Sequence, residues 1–286
     1  MSRVTCHFFA RMCLILLAWR SHPRYPLVFA GNRDESYDRP SAPAEFWRDD
    51  ARIYGGRDLE QGGTWLGLSR SGRIAAVTNY RERPKIGKMP RSRGELTARF
   101  LRGNDTPAAY LEQVARSAGE YGPFSLFVGN GEGLWYSSNR AEPNGSEPPF
   151  REVAAGVYGL SNHLLDTPWL KVTSGKQRLA RLLGAAEAPL IAGLFDILSD
   201  RDPAPETELP DTGVGARRER ELSPLFIAGE HYGTRASTVV LIDRDQNVLF
   251  VERRFGPRGE PLGATEKRFA LDRTAMESQI NADTRR

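Results

Sequence analysis

The chain has 286 residues, 40% of them hydrophobic, enough to bury a full core. Its 40 Lys and Arg against 36 Asp and Glu leave a net charge of +4, and the basic residues are interspersed with acidic ones, which argues against the concentrated positive face of a nucleic-acid binder. Two cysteines, Cys6 and Cys13, are too few for a disulfide framework and lack metal-ligand spacing, so a reducing, cytoplasmic setting with no structural metal is the expectation.

In chain order, the apolar run from Cys6 to Trp19 is interrupted by Arg11, is too short to span a bilayer, and is followed by no small-residue cleavage site. Met12 reads as the initiator. Residues 1–11 are then an extension, 12–275 a single domain and 276–286 a polar tail. Cys13 to Trp19 and Tyr25 to Ala30 read as buried strands, with further strands at Thr64 to Ser69, Arg73 to Thr78, Phe124 to Gly129, Leu134 to Ser137, Val157 to Ser161, Ser237 to Ile242 and Val248 to Glu252. Short turns at Ser71-Gly72, Asn130-Gly131 and Asp243 to Asn247 imply antiparallel pairing. Helices are expected at Gly94 to Leu101, at Pro107 to Ala118 behind the N-cap Thr106, at Gly175 to Leu183 behind Ser174, and at Pro189 to Leu198. The basic stretch Arg81 to Arg93 could hold an anionic group, but it carries Pro84, Gly87 and Pro90, and a solvated loop is the preferred reading. The stretches Glu142 to Pro149 and Pro203 to Pro210 read as surface excursions.

If Met12 is the start and is removed, Cys13 carries a thiol and a free α-amine on one residue. An α-amine titrates at about 7.7 to 8.0 and can take the thiol proton near neutral pH, so nucleophile and base coincide. A lone Cys in an apolar strand is, by the competing reading, a small buried hydrophobe. Four polar clusters at strand ends could collect around it: Asn32 to Glu35, Thr78 to Arg81, Leu160 to Asn162 and Thr234 to Thr238.

The start Met12-Cys13-Leu14-Ile15, followed by Ala30-Gly31-Asn32-Arg33-Asp34-Glu35, Arg39-Pro40, Gly62-Gly63-Thr64-Trp65-Leu66-Gly67, Thr78-Asn79-Tyr80-Arg81, Ser92-Arg93-Gly94 and Tyr158-Gly159-Leu160-Ser161-Asn162, resembles the NRDE family, that of transport and Golgi organisation protein 2. The likeness runs from Met12 to about Phe255. Members begin Met-Cys; residues 1–11 depart from that pattern. The resemblance implies the N-terminal-nucleophile hydrolase fold, an α+β four-layer αββα sandwich of two antiparallel sheets flanked by helices. By analogy with choloylglycine-hydrolase-like enzymes it implies Cys13 as nucleophile, Arg33 and Asp34 as the pair beside it, Asn79 and Asn162 as oxyanion and orienting amides, and Arg235 as the late arginine. Arg33 and Asp34 are adjacent here, whereas in those hydrolases the two are not.

The implied activity is cysteine-dependent hydrolysis or acyl transfer at a small-molecule amide or thioester, a carbon–nitrogen bond other than a peptide bond, with no cofactor required. The alternative is a non-catalytic protein of the same family handling haem, lipid or acyl-CoA, in which Arg33 and Arg81 meet propionates or phosphates and His163 or His231 is an axial ligand. A Cys-His dyad using either histidine is a third arrangement. Against these stand structural roles: Arg33-Asp34 as an ion pair between strands, Asn79 and Asn162 as turn caps, Trp65 and Trp169 as core or pocket wall.

Overall fold

The first strand, β1 (Met12–Trp19), is apolar on both faces because both faces are covered. A computed structural model describes residues 12–82, 89–140 and 149–272. From β1, Ile15, Leu17 and Trp19 join the core between two sheets, while Leu14, Leu16 and Ala18 join a second core under helices. β2 (Leu27–Ser36), β3 (Ser41–Phe46), β4 (Ile53–Asp58), β5 (Leu66–Ser69) and β6 (Ile74–Asn79) follow as antiparallel strands. Then come α1 (Arg93–Arg102), α2 (Pro107–Arg116), β7 (Phe124–Gly129), β8 (Leu134–Ser138), β9 (Phe150–Glu152) and β10 (Gly156–Leu160). The chain closes with α3 (Leu170–Leu182), α4 (Glu187–Leu198), α5 (Ala216–Glu221), β11 (Tyr232–Ile242), β12 (Asn247–Phe255) and β13 (Pro261–Ala270).

The strands form a six-stranded sheet, β10-β1-β2-β11-β12-β13, and a seven-stranded sheet, β3 to β9 in sequence order. Every strand pairing is antiparallel. Phe29, Val240 and Phe250 of the first sheet meet Tyr54, Leu66 and Phe127 of the second in the inter-sheet core. Leu179 of α3 and Leu190, Leu194 and Phe195 of α4 cover the outer face of the six-stranded sheet. Leu96, Phe100, Tyr110 and Leu111 of α1 and α2 do the same for the seven-stranded one. The result is the αββα sandwich that the motif pattern implies.

The expected strands are present with shifted ends, and Thr106 caps α2 by accepting from the amide of Ala109 at 3.1 Å. Three expectations are corrected. β2 continues through Ser36, so Asn32 to Glu35 lies inside a strand and not at its end. α3 begins at Leu170, a turn ahead of Ser174. α2 ends at Arg116, and a short 3-10 turn, Ala118–Glu120, follows. The Pro203 to Pro210 stretch is largely exposed, whereas Glu142 to Pro149 falls almost entirely outside the described residues, as do the extension 1–11, with Cys6, and the tail 276–286.

Candidate functional site

Cys13 is the second residue of β1 and is 8% exposed. Its register partner on β2 is Arg33, whose partner on β11 is Ala236, whose partner on β12 is Arg254. Directly paired residues share a face, so the thiol, two guanidiniums and a methyl group stand in one row across four strands, on the face that further along holds Ile15, Phe29, Val240 and Phe250. The row lies against a cleft of about 140 Å³ at the end of the sandwich, lined also by Trp65, Asn79 and Arg235.

Strand geometry separates the Arg33-Asp34 pair. Consecutive residues point to opposite faces, so Arg33 is in the row beside Cys13 and Asp34 is on the helix side. There Asp34 is 2% exposed and accepts a 2.6 Å hydrogen bond from the hydroxyl of Thr234. Burial pushes its carboxyl up from the ordinary range, and the charges of Lys171, Arg33 and Arg81 together with the Thr234 hydrogen bond pull it back. Arg33 has its carboxylate neighbour in Glu35, at 3.7 Å, not in Asp34. Asn32 is a clamp: its amide nitrogen donates to the carbonyls of Leu198 and Leu225 at 2.9 and 2.8 Å, and its oxygen accepts from Ser237 at 2.6 Å. Asn32, the Arg33–Glu35 pair and Asp34 thus occupy three distinct environments.

The thiol of Cys13 is pushed up to about 12, first by burial and then by the charge of Asp34, with Arg33 acting in the opposite direction. With Met12 attached, the Cys13 nitrogen is a peptide nitrogen and supplies no base.

Asn79 ends β6 in the cleft wall. Asn162 is fully buried behind it in the left-handed conformation, φ 55°, which asparagine tolerates better than most residues. Its side-chain nitrogen donates to the Asn79 carbonyl at 3.2 Å and its own carbonyl accepts from the Arg81 amide at 2.7 Å. Asn162 therefore braces the wall and does not line the cleft. Arg235 is the extra residue of a β-bulge in β11, between Thr234, paired with Asp34, and Ala236, paired with Arg33. Its guanidinium donates to the Ser36 carbonyl at 3.1 Å and to the Arg39 carbonyl.

The glycines of the upstream motifs shape the opposite wall. A Cβ on Gly63 would stand 2.4 Å from the carbonyl carbon and oxygen of Gly94, so only glycine lets the loop before β5 meet the start of α1. Thr64 donates its amide to the Gly94 carbonyl at 3.3 Å, and the Thr97 hydroxyl donates to the Thr64 and Gly94 carbonyls.

The solvated-loop reading of the basic stretch is corrected at its ends; residues 83–88 lie outside the described residues. Arg81 is 4% exposed, pairs with buried Glu219, and lies 4.6 Å from the centre of the Trp169 ring. Arg91 pairs with Glu95 and Glu120. Lys171, also buried, donates to the Leu222 carbonyl at 2.8 Å; burial and Arg81 lower its affinity for a proton, while Asp34, Glu219 and Cys13 raise it. This buried group of Asp34, Lys171, Arg81 and Glu219 was invisible in the sequence, because Lys171 opens a helix with no capping residue, Glu219 lies in the highly charged run ARRERE, and only tertiary packing buries them.

Neither His163 nor His231 lines the cleft. Both ring nitrogens of His163 are engaged, Nε2 with the Tyr80 hydroxyl at 2.6 Å and Nδ1 with the Thr167 hydroxyl at 2.8 Å. Trp65 stands in the cleft wall against Phe29, and Trp169 is sandwiched between Arg81 and His163. Among the described residues no helix is long and apolar enough to cross a membrane.

Among solved structures, a conjugated bile acid hydrolase from Clostridium perfringens aligns at 8% identity and TM-score 0.45, over 92% of this chain and 97% of its own. An N-acylethanolamine-hydrolyzing acid amidase ortholog from Caenorhabditis elegans aligns at 14% identity and TM-score 0.37, over 80% and 92%. In sequence, the chain is 36% identical over 265 residues to the Transport and Golgi organization protein 2 homolog of Homo sapiens, covering 85% of this chain and 92% of that one. It is 31% identical over 280 residues to the Transport and Golgi organization protein 2 of Drosophila melanogaster, covering 87% and 95%. The family model described as Transport and Golgi organisation 2 matches residues 12–257, the stretch that contains both sheets' shared core and the Cys13 row, and the chain belongs to that family.

Proposed function

We propose that the chain, once its N-terminus is opened at Cys13, is a cysteine N-terminal-nucleophile hydrolase acting on a small-molecule amide or thioester. The observation that carries this reading is the cross-strand placement of Cys13 beside Arg33 on the floor of a cleft. A chain starting at Cys13 puts its α-amine where the Met12–Cys13 peptide now lies, next to the register position of Asp34. The neutral amine takes the thiol proton and Sγ attacks the carbonyl carbon. The resulting oxyanion is met by the Asn79 amide, braced by Asn162; one such donor contributes about 3 to 4 kcal/mol in studied enzymes. Collapse breaks the bond to the leaving group, which receives the proton from the ammonium. Water then hydrolyses the acyl-Cys13 thioester and regenerates the thiol. Arg33 favours the thiolate during the first step.

The test uses the chain produced with Cys13 as its first residue, incubated with a series of N-acyl amides and acyl thioesters, with intact mass reporting the acyl-enzyme. Cys13→Ala is expected to abolish release and adduct with the melting temperature unchanged; equal turnover in that variant overturns the proposal. A haem titration addresses the carrier alternative, for which a Soret shift at micromolar protein is the supporting result.

A further inference from the structure

The row that holds Cys13 does not stop at Arg33. It continues through Ala236 to Arg254 and ends opposite Gly263 on β13. Three strand spacings separate Cys13 from Arg254, about 14 Å along the cleft floor. Ala236, between the two arginines, projects only a methyl group, so on that row nothing long separates Arg33, beside Cys13, from Arg254.

Arg254 differs from the other arginines of the cleft in what holds it. Arg57 is committed to Asp49 through both terminal nitrogens, at 2.7 and 3.0 Å. Arg235 is tied to two main-chain carbonyls, Arg93 donates to the Pro123 carbonyl at 3.1 Å, and Arg33 has Glu35 at 3.7 Å. Arg254 makes no ion pair among the described residues. Among the described residues its one side-chain hydrogen bond is a long 3.4 Å donation to the Leu262 carbonyl, its buried Nε has no hydrogen-bond partner, and its charge acts on the carboxyl of Glu252. Gly263, at φ +117°, leaves room for it: a Cβ there would stand 3.3 Å from Nη2. The nearest acid on the same strand face, Glu252, accepts the Ala44 amide at 2.8 Å and faces Thr238 and Thr265 in the ladders. A buried guanidinium nitrogen without a partner is costly, and an oxyanion satisfies it with geometry matched to the fork. Phe255 and exposed Leu262 put apolar surface on the cleft wall next to it.

We infer that Arg254 determines specificity by receiving an anionic group, a carboxylate or a phosphate-type oxyanion, at the far end of an otherwise apolar substrate whose carbonyl lies at Cys13. This inference rests on the hydrolase reading for the position of the carbonyl, but not for the anion site itself.

The experiment measures binding, by titration calorimetry on the full chain carrying Cys13→Ala, of three probes of equal chain length: dodecanamide, the monoamide of dodecanedioic acid, and the amide carrying an ω-phosphonate. The expected result is at least tenfold tighter binding of one of the anionic probes than of dodecanamide, a preference that shrinks with added salt. In Arg254→Gln the ratio is expected to fall to about one, and in Arg254→Lys to be partly restored; which anion wins identifies its chemistry. The inference is overturned if no anionic probe exceeds the neutral amide, including the case in which none binds, or if Arg254→Gln keeps the preference. Amide release by the Cys13-initiated chain is read separately. Absent turnover with an intact anion preference defeats the hydrolase reading alone, and turnover without the preference defeats this inference alone.

Discussion

At the scale of single residues, the chemistry follows from the two-residue period of a strand. Arg33 and Asp34 are neighbours in the chain, yet one faces the cleft and the other a buried group of charges under the helices. In the proposed mechanism Asp34 therefore stands on the α-carbon side of Cys13 and Arg33 on the side of the sulfur. Burial holds the thiol up near 12, so below that value the thiolate fraction rises tenfold with each pH unit. With Cys13 internal to the chain, its alkylation by iodoacetamide is expected to climb in proportion to hydroxide from pH 7 to pH 10 without levelling off. Freeing the Cys13 amine is expected to add a local base and bring a plateau into that range. A plateau in the blocked chain, followed by mass spectrometry, contradicts the burial argument.

At the scale of elements, the two family motifs Gly63-Thr64 and Ser92-Arg93-Gly94 form one joint. Gly63→Ala pushes a methyl group into the backbone of Gly94, which cannot swing aside as a side chain could. The expected loss is at least about 2 kcal/mol in urea unfolding, with α1 displaced from the cleft wall; a loss under 0.5 kcal/mol contradicts the close contact. The apolar strands β1, β7 and β12 and the capped helix α2 were legible because period, turn residues and caps agreed. β13 was not, since it is a mostly exposed edge strand with charged residues in place of an apolar alternation. β3 was hidden by Pro43, and α3 was entered late because no capping residue marks Trp169. Of the candidate site, Cys13, Arg33, Asp34, Asn79 and Arg235 line the cleft, and each sits in a short motif that a local reading can single out. The bracing position of Asn162, the burial of Lys171 and the exposure of Arg254 to the cleft depend on contacts between elements far apart in the chain, which no local pattern encodes.

At the scale of the whole molecule, two sheets share one core while the Cys13 row lies at its end, so scaffold and candidate site meet along a single line of residues. The bulge in β11 shows how separable they are. Thr234 and Ala236 face consecutive residues of β2, and Arg235 has no register partner on either neighbouring strand. Deleting Arg235 outright therefore closes the ladder instead of shifting it, at the expense of the two hydrogen bonds of its side chain, about 1 to 3 kcal/mol. Deleting Val240, within the unbroken register from Ala236 to Ile242, moves the rest of β11 by one step and inverts its faces. Thermal melts are expected to show a folded protein in the first case and none in the second; two unfolded variants would contradict the bulge. A shortened β11 of this kind is a sandwich with one fewer positive charge near Cys13, a starting point from which the cleft's appetite for ligands can be redrawn without rebuilding the walls.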